Sequence, residues 1–594
     1  MFFISLMLIL PFLFPYHPFP IQTFYIEWLT AALALFAFVP LIKQTAWPSY
    51  QVPTIIWLPI GMLIVMALQL AVLDIAYWQN YFLAAQYFIF AALMMLLGAM
   101  LKQAIGFNKT IKVIAIALLI SGLISTIIIF LDLANIRLGG WILDSKAGAV
   151  ANVGQQNHLA TLLALALAGL AYLFAKQSLK MYLAWPMFIF LLSGLALTAS
   201  RSAWIFVGLI TVSALVYRYL QSKTQLTVSP KRLLILLVLP VLFYLLQIGL
   251  PHLPTSKALT TSNQRLVELA QKKDSPRLQL YKATWYVYTD NPLLGTGLGQ
   301  MAWHDIEHAN RVPELKGTNS QSHNTVLQFL AETGAIGTTF LLVCLLAFFL
   351  RVKSAPISPE RWLWWLMLSI IAIHAMLEYP LWYMHYLALT ALLLGVGDVQ
   401  IQSLKRARPQ LLVAMFTMLW AASLVQTMHD FRIIERWYAQ NQRIKLNDVR
   451  FDEMLRQFKP IRAFSPLAIY AEVQLANTLP IDRDGLNDKL AIYKRLLKAY
   501  PTPGLTYNYA ILLALDGRHD KAINHLKHTF MRYPEGIDQH WQRTAKIAVQ
   551  GERMLFKYIK YIEHLRDGEP LDTNEPVIMG HQPAIKPSPK DIRI

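Results

Sequence analysis

Long uncharged apolar runs decide what this chain can fold into. They lie at roughly 2–14, 28–42, 54–73, 80–101, 111–131, 158–175, 181–199, 203–219, 232–250, 325–350, 362–378, 381–397 and 409–428. Most reach or approach the ~20 residues that an α-helix needs to cross a hydrocarbon core. A segment inside lipid has no water to hydrogen-bond its backbone, so runs of this length fold as helices. The chain therefore reads as all-α, a polytopic helical membrane protein with about thirteen transmembrane helices. Composition agrees: 56% of residues are hydrophobic and 15% charged, where soluble proteins carry about 25% charged residues. The first run lacks the features of a cleaved signal peptide. No Lys or Arg precedes Lys43, and "PYHPFP" rather than a small-residue cleavage site follows it. It is read as a retained helix.

The formal net charge of +19 would suggest nucleic acid in a soluble protein. In a membrane protein it reports orientation, because Lys and Arg stay in cytoplasmic loops. Alternate loops carry sixteen Lys and Arg between Lys43 and Arg408, whereas the short loops on the other side carry Arg137, Lys146 and Arg201. The basic side is placed in the cytoplasm, which puts His323 and the C-terminal region outside. No nucleic-acid partner is implied. The single cysteine, Cys344, allows no intramolecular disulfide.

Five regions follow. Residues 1–250 hold the first nine helices and 325–429 the last four. Between them, 251–324 is too long and too patterned for a plain connector and is expected to contribute to function. Residues 430–570 form a soluble helical domain. Its segment "TYNYAILLALDGRHDKAINHLKHTFMRYPE" (506–535) has the small residues and spacing of a tetratricopeptide-like helical hairpin. It can be a packing platform or a partner-docking surface. The Pro-rich end, 571–594, is predicted to be disordered.

Two motifs invite chemistry and do not support it. "PLLGTGLGQ" (292–300) follows no buried strand, so its glycines predict a tight turn rather than a dinucleotide fingerprint. "IDRDG" (481–485) lacks the glycine register of a calcium loop and reads as a solvated turn. No cluster has metal-ligand spacing, so neither a metal nor any other cofactor is expected.

Ionisable residues near a membrane are costly, and here they gather at the outer ends of the runs. Asp74, Asp132, His158, Arg201, His323, Glu378 and His385 map there, with Glu332 and His374 deeper. A carrier should place charges at the midplane, within interrupted helices. Four outer stretches, "GQQNHLATLL", "TASRSAW", "SPRLQLYKATW" and "SQSHNTVLQFL", supply Gln156, Asn157, His158, Arg201, Arg277, Lys282, His323 and Asn324. Arginine suits a phosphate because its planar fork makes paired charge-assisted hydrogen bonds. Histidine is poised for proton transfer near neutral pH. Together they point to a phosphate-containing lipid held at headgroup depth. Against this stand the readings of each arginine as snorkelling to headgroups and of His-Asn as a helix cap. Glu332 is no natural partner for His323: at ~100° per residue the nine intervening positions leave it half a turn out of phase, about 13 Å along a straight helix. Its role is read as structural.

At these residues the sequence resembles a family. "SHNTVLQFLAETGAIG", "TASRSAW" and "PRLQLYKATW…NPLLGTGLG" are similar to the O-antigen ligase and polymerase superfamily of bacterial inner-membrane glycosyltransferases. "NVGQQNHLATLL", "LEYPLWY" and the repeat-bearing tail resemble its protein O-oligosaccharyltransferases, the PglL-type or pilin glycosylases. The resemblance covers most of 135–430. It implies a donor oligosaccharide linked to a polyprenyl diphosphate, transferred en bloc in the periplasm to Ser or Thr of a protein such as a pilin. It implies that His323 is the essential histidine and that Arg201 and Arg277 hold the diphosphate, with Lys282 a further candidate. Gln156, Asn157, His158 and Asn324 would line the glycan or acceptor path. Competing expectations are an O-antigen ligase acting on lipid A core, a polymerase, a lipid or glycan transporter, and a membrane-anchored docking protein.

Overall fold

The computed structural model describes residues 1–42, 51–144, 148–221, 228–252, 260–270, 276–403, 409–441, 448–549, 552 and 555–567. The Pro-rich end and the loop cations Lys43, Lys146, Lys223, Lys405, Arg406 and Arg408 lie outside the described residues. Two compact units are present. The first comprises Met1–Asp305, Asn319–Thr478 and Lys498–Tyr500; the second comprises Ile306–Thr318, Leu479–Leu497 and Pro501–Ile594.

In chain order the first unit runs through α1 (Phe2–Leu13), α2 (Phe24–Ile42), α3 (Trp57–Val72), α4 (Trp78–Ile105), α5 (Phe107–Leu133), α6 (Gln156–Ala175), α7 (Met181–Leu197) and α8 (Ser202–Gln221). Then come α9 (Pro230–Ile235), α10 (Leu239–Gly249), α11 (Ser262–Ala270), α12 (Pro276–Asp290) and α13 (Met301–Glu307), which crosses into the second unit. The first unit resumes with α14 (Thr325–Val352), α15 (Pro359–Leu377), α16 (Met384–Gly397), α17 (Pro409–Asn441), α18 (Asp448–Phe464) and α19 (Ala468–Thr478). The remaining helices are α20 (Leu486–Ala499), α21 (Pro503–Leu515), α22 (His519–Arg532), α23 (Ile537–Val549) and α24 (Leu555–Asp567). Among the described residues the only strand pairing joins Gln51–Pro53 to Ile401–Ser403.

Every predicted apolar run falls on helical chain. Among the described residues, seven helical segments are long and apolar enough to cross a membrane, and four further apolar helices are shorter. The chain is a multi-pass, helical membrane protein. At its centre α6 is apolar all round and buried from His158 to Ala175, as expected of a helix enclosed on every side. Small residues let its neighbours approach closely. A Cβ on Gly122 would lie 2.4 Å from that of Ala166, and one on Gly169 would lie 3.0 Å from the Ala115 carbonyl oxygen. Between α4 and α16 a Cβ on Gly395 would meet the Met95 carbonyl oxygen at 1.9 Å.

Two predicted boundaries move. The last run and the start of the tail are one helix, α17, because "HDFRIIERW" keeps its apolar period. Phe431, Ile434 and Trp437 are buried there, with Phe431 stacked on Phe24 at 3.7 Å. The long segment 251–324 is likewise divided. Its residues Ile306–Thr318 pack with the second unit, where buried Arg532 donates to the carbonyls of Val312 and Leu315, both at 2.8 Å. In the same unit "IDRDG" is a turn, with the Asp484 N–H donating to Asp482 and Gly485 at φ +58°.

Candidate active site

The glycine turn "PLLGTGLG" and α14 are built around one another. Gly334 interrupts α14 with φ +62° and ψ −167°, a region essentially reserved for glycine. The break leaves carbonyls and N–H groups without helical partners, which inside a membrane protein must be supplied from elsewhere. The turn supplies them. Thr296 and Gly297 donate N–H to the carbonyls of Ala331 and Glu332 (2.9 and 3.0 Å), while Ala335 and Ile336 donate to those of Pro292 and Leu293 (2.8 and 3.2 Å). The Glu332 carboxylate accepts the Gly299 N–H at 3.0 Å. Glu332 thus serves the joint between loop and helix, and the fixed joint carries the outer piece of α14.

At the start of that piece, Asn324 caps the helix by accepting the Leu327 N–H at 3.1 Å. Ser322 Oγ donates to the Asn324 carbonyl at 2.8 Å, and the Ser322 N–H donates to Gln328 at 2.6 Å. His323, between them, takes φ +52°. Such a backbone is uncommon for a residue other than glycine. Its Nδ1 lies 2.5 Å from Glu378 Oε2. Glu378 immediately follows α15 and is itself buried, whereas about a third of the His323 side chain is exposed.

The other Glu378 oxygen, Oε1, accepts from the Arg277 guanidinium at 2.9 Å and from Asn157 Nδ2 at 2.8 Å. Asn157 Oδ1 in turn accepts from Ser200 Oγ at 2.7 Å, in the turn that bears Arg201. Arg201 lies within electrostatic reach of Arg277, Arg265 and Glu378. Burial first, then the two like charges, hold its guanidinium below the ordinary arginine range, and Glu378 acts the other way. Arg277 therefore sits on the carboxylate with Arg201 in the same field, Arg265 acts on Arg201, and a part-exposed imidazole lies beside them. Excess positive charge of this kind is a site for an anion.

Comparison with known proteins points to membrane-bound glycan enzymes. Residues 186–342 match the model of the O-antigen ligase family, and 362–548 match that of the virulence factor membrane-bound polymerase, C-terminal family. A general O-oligosaccharyltransferase of Acinetobacter baylyi is 26% identical over 439 residues, covering 71% of this chain and 73% of the relative. A ComP-specific O-oligosaccharyltransferase of the same organism is 24% identical over 369 residues, covering 60% of this chain and 64% of the relative. The chain is thus a transferase similar to the O-antigen ligases and to the O-oligosaccharyltransferases.

In this transferase the four outer stretches singled out in sequence meet through hydrogen bonds and charge. His323, Arg277, Asn157 and the Arg201 turn are joined. Asn324 acts on the backbone, as the cap and through a 3.3 Å bond from Nδ2 to the Met376 carbonyl. Gln156 opens α6. Lys282 stands apart from the carboxylate, in a cleft of about 420 Å³ lined by Leu278, Tyr281, Trp285, Tyr286 and Leu327. His158 is buried against Tyr383, His374 and Tyr386, with ring centroids 4.3–5.5 Å away. Sequence reasoning noted Glu378 as a costly carboxylate and assigned it no role. It also passed over Tyr379, whose ring meets His323 edge-on at 5.2 Å. The available signal was a carboxylate closing an apolar run directly before "YPLWY".

Proposed function

We propose that this transferase moves a preassembled oligosaccharide en bloc from a polyprenyl diphosphate to a Ser or Thr hydroxyl of a periplasmic protein, a pilin among the candidates. The observation that carries the reading is the junction of His323 and Arg277 on the Glu378 carboxylate, with Arg201 in the same field. Outside the cytoplasm no nucleotide supplies activation, so the sugar must arrive with its leaving group attached, and a diphosphate is one. Its negative charge offsets the repulsion that Arg277 and Arg265 exert on Arg201.

The acceptor oxygen attacks sugar C1 as the C1–O bond to phosphate breaks, and the bonding pair leaves with the polyprenyl diphosphate. His323 Nε2 takes the hydroxyl proton, and the imidazolium later gives it up to solvent. Positioned general-base help contributes about 10²–10⁴ in rate. Arg201 and Arg277 stabilise charge growing on the departing diphosphate. The cleft that holds Lys282 lies on the same helix as Arg277 and provides apolar and aromatic walls for the donor. Protein as acceptor is supported by the two relatives, both named as O-oligosaccharyltransferases. The remaining architecture fits it: about thirteen spans in the inner membrane, with the site and a tetratricopeptide-like tail on the periplasmic side.

The test is co-expression of wild type and His323→Ala with a lipid-linked glycan pathway and a periplasmic acceptor, in cells lacking their own ligase. Intact mass of the acceptor is measured, with lipid A core analysed in parallel. Glycan on the protein, absent with a normally inserted His323→Ala, is expected. Glycan on lipid A core alone would make the chain a ligase.

A further inference from the structure

We propose that Glu378 is a positioning residue of the transfer reaction, one carboxylate that orients His323 and holds Arg277, coupling the proton acceptor to the diphosphate anchor. The inference rests on the reading of His323 and Arg277 given above.

Three donors converge on Glu378. Oε1 receives the Arg277 guanidinium and the Asn157 amide, and Oε2 faces His323 Nδ1 at 2.5 Å. A carboxylate that accepts from a guanidinium and an amide is satisfied as an ionised acceptor, so the proton of the His323 pair sits on Nδ1. This fixes the tautomer. Nε2 is left with its lone pair, on a ring about a third exposed while the carboxylate behind it is buried. A histidine held this way cannot spend its lone pair on Glu378, and the ring does not turn away from the acceptor. When Nε2 takes the acceptor proton, the new imidazolium lies against a fixed negative charge. No proton passes to Glu378: the hydroxyl O–H breaks, Nε2–H forms, and Nδ1–H stays in place.

The second oxygen adds a coupling. Glu378 is faced by His323 from the turn before α14, by its neighbour Tyr379, by Arg277 from α12, by Asn157 and His158 from α6, and by Arg201 from the turn after α7. With a diphosphate present, Arg277 has a stronger anion to serve. As it turns to the phosphate it releases Oε1, and the charge of Glu378 is left to His323. The orienting carboxylate thus serves His323 most fully when the donor is in place. Because Ser200 anchors Asn157, the turn bearing Arg201 is tied into the same network.

The experiment uses the full chain in liposomes, with a donor and acceptor between which the wild type transfers glycan. Initial rates are measured for wild type, Glu378→Gln, Glu378→Asp and His323→Ala. The glutamine keeps the size and removes the charge. It should lower kcat about 10²-fold with the donor KM unchanged or lower, since Arg277 is freed, and Glu378→Asp should recover at least about a tenfold share of that loss. A merely structural role would reduce the amount of folded protein and leave the kcat of what remains intact. A Glu378→Gln kcat within about threefold of wild type, or a loss confined to donor KM, overturns the inference. Should the glutamine variant not survive purification, Glu378→Asp is read alone: lowered kcat at constant donor KM supports the proposal, and unaltered kcat overturns it. His323→Ala separates the two claims. Its full activity would remove the functional reading itself, whereas an inactive His323→Ala beside a fully active Glu378→Gln removes only the role of Glu378.

Discussion

Replacing Gly334 by alanine should cost far more than the same change at Gly299 in the facing turn, and the structure sets the size. At φ +62° and ψ −167° an L-residue pays about 1–3 kcal/mol in backbone strain. The new methyl would stand 2.3 Å from the Leu293 carbonyl oxygen and 2.6 Å from the Gly295 nitrogen. Both are backbone atoms that cannot swing aside. Relieving the clash moves the turn off α14, and with it the Ala335–Pro292 and Ile336–Leu293 hydrogen bonds, each a net contribution of about 1 kcal/mol. The total is about 3–5 kcal/mol. Gly299→Ala is the control: its φ is +77°, but no atom lies within 4 Å of the added carbon, so strain alone applies, about 1–2 kcal/mol. Heating the two variants and wild type in detergent, read by monodispersity on gel filtration, should order their midpoints wild type, Gly299→Ala, Gly334→Ala. Transfer activity of Gly334→Ala should fall at temperatures where it is still monodisperse, because the displaced piece of α14 carries the His323 turn. A Gly334→Ala midpoint equal to or above that of Gly299→Ala would refute the claim that loop and helix are locked together through the break.

Arg277→Lys keeps the charge and loses the planar fork. It should reduce kcat/KM for the donor about 10²-fold, measured at fixed acceptor, and an undiminished value would remove Arg277 from diphosphate binding. Arg532→Met leaves the carbonyls of Val312 and Leu315 without their buried donor, which should cost about 2–4 kcal/mol and be seen as faster protease cleavage within 306–318. In the second unit, burial pushes His525 down to about 4 and His540 to about 3. Both must charge to unfold below the ordinary histidine value of ~6.5, so their contribution is complete above pH 6.5 and declines as pH falls toward 4. At pH 5.5 the two together should cost about 3 kcal/mol, read as faster hydrogen exchange across α21–α23 after correction for intrinsic rates. Equal protection at pH 7.5 and 5.5 would contradict it.

The helices were legible because a membrane leaves little choice: apolar length alone dictates them, and each predicted run is helical in the structure. The boundary at 430 was not, since α17 changes environment without changing conformation, and composition registers only the environment. The break at Gly334 was also hidden. "AETGAIG" reads as helix, and only the docking of Gly295 and Gly297 against it shows why the chain must open there. The chemistry followed the same division. Residue type selected arginine, histidine and asparagine, and four of the chosen stretches do meet. Glu378 escaped because its partnership with His323 spans 55 positions and two helices, a relation without period. Helical spacing tested Glu332, nine positions on in the same helix, and set it aside; in the structure that carboxylate accepts the Gly299 N–H. The partner of a residue on a helix cap comes from whichever neighbouring helix ends at the same depth, and α15 ends there with Glu378. A run of apolar residues that stops on a carboxylate, facing another that starts on a histidine, is therefore the pattern to read for such a pair: each is a polar group that the membrane expels to one plane, and in one plane donor and acceptor meet.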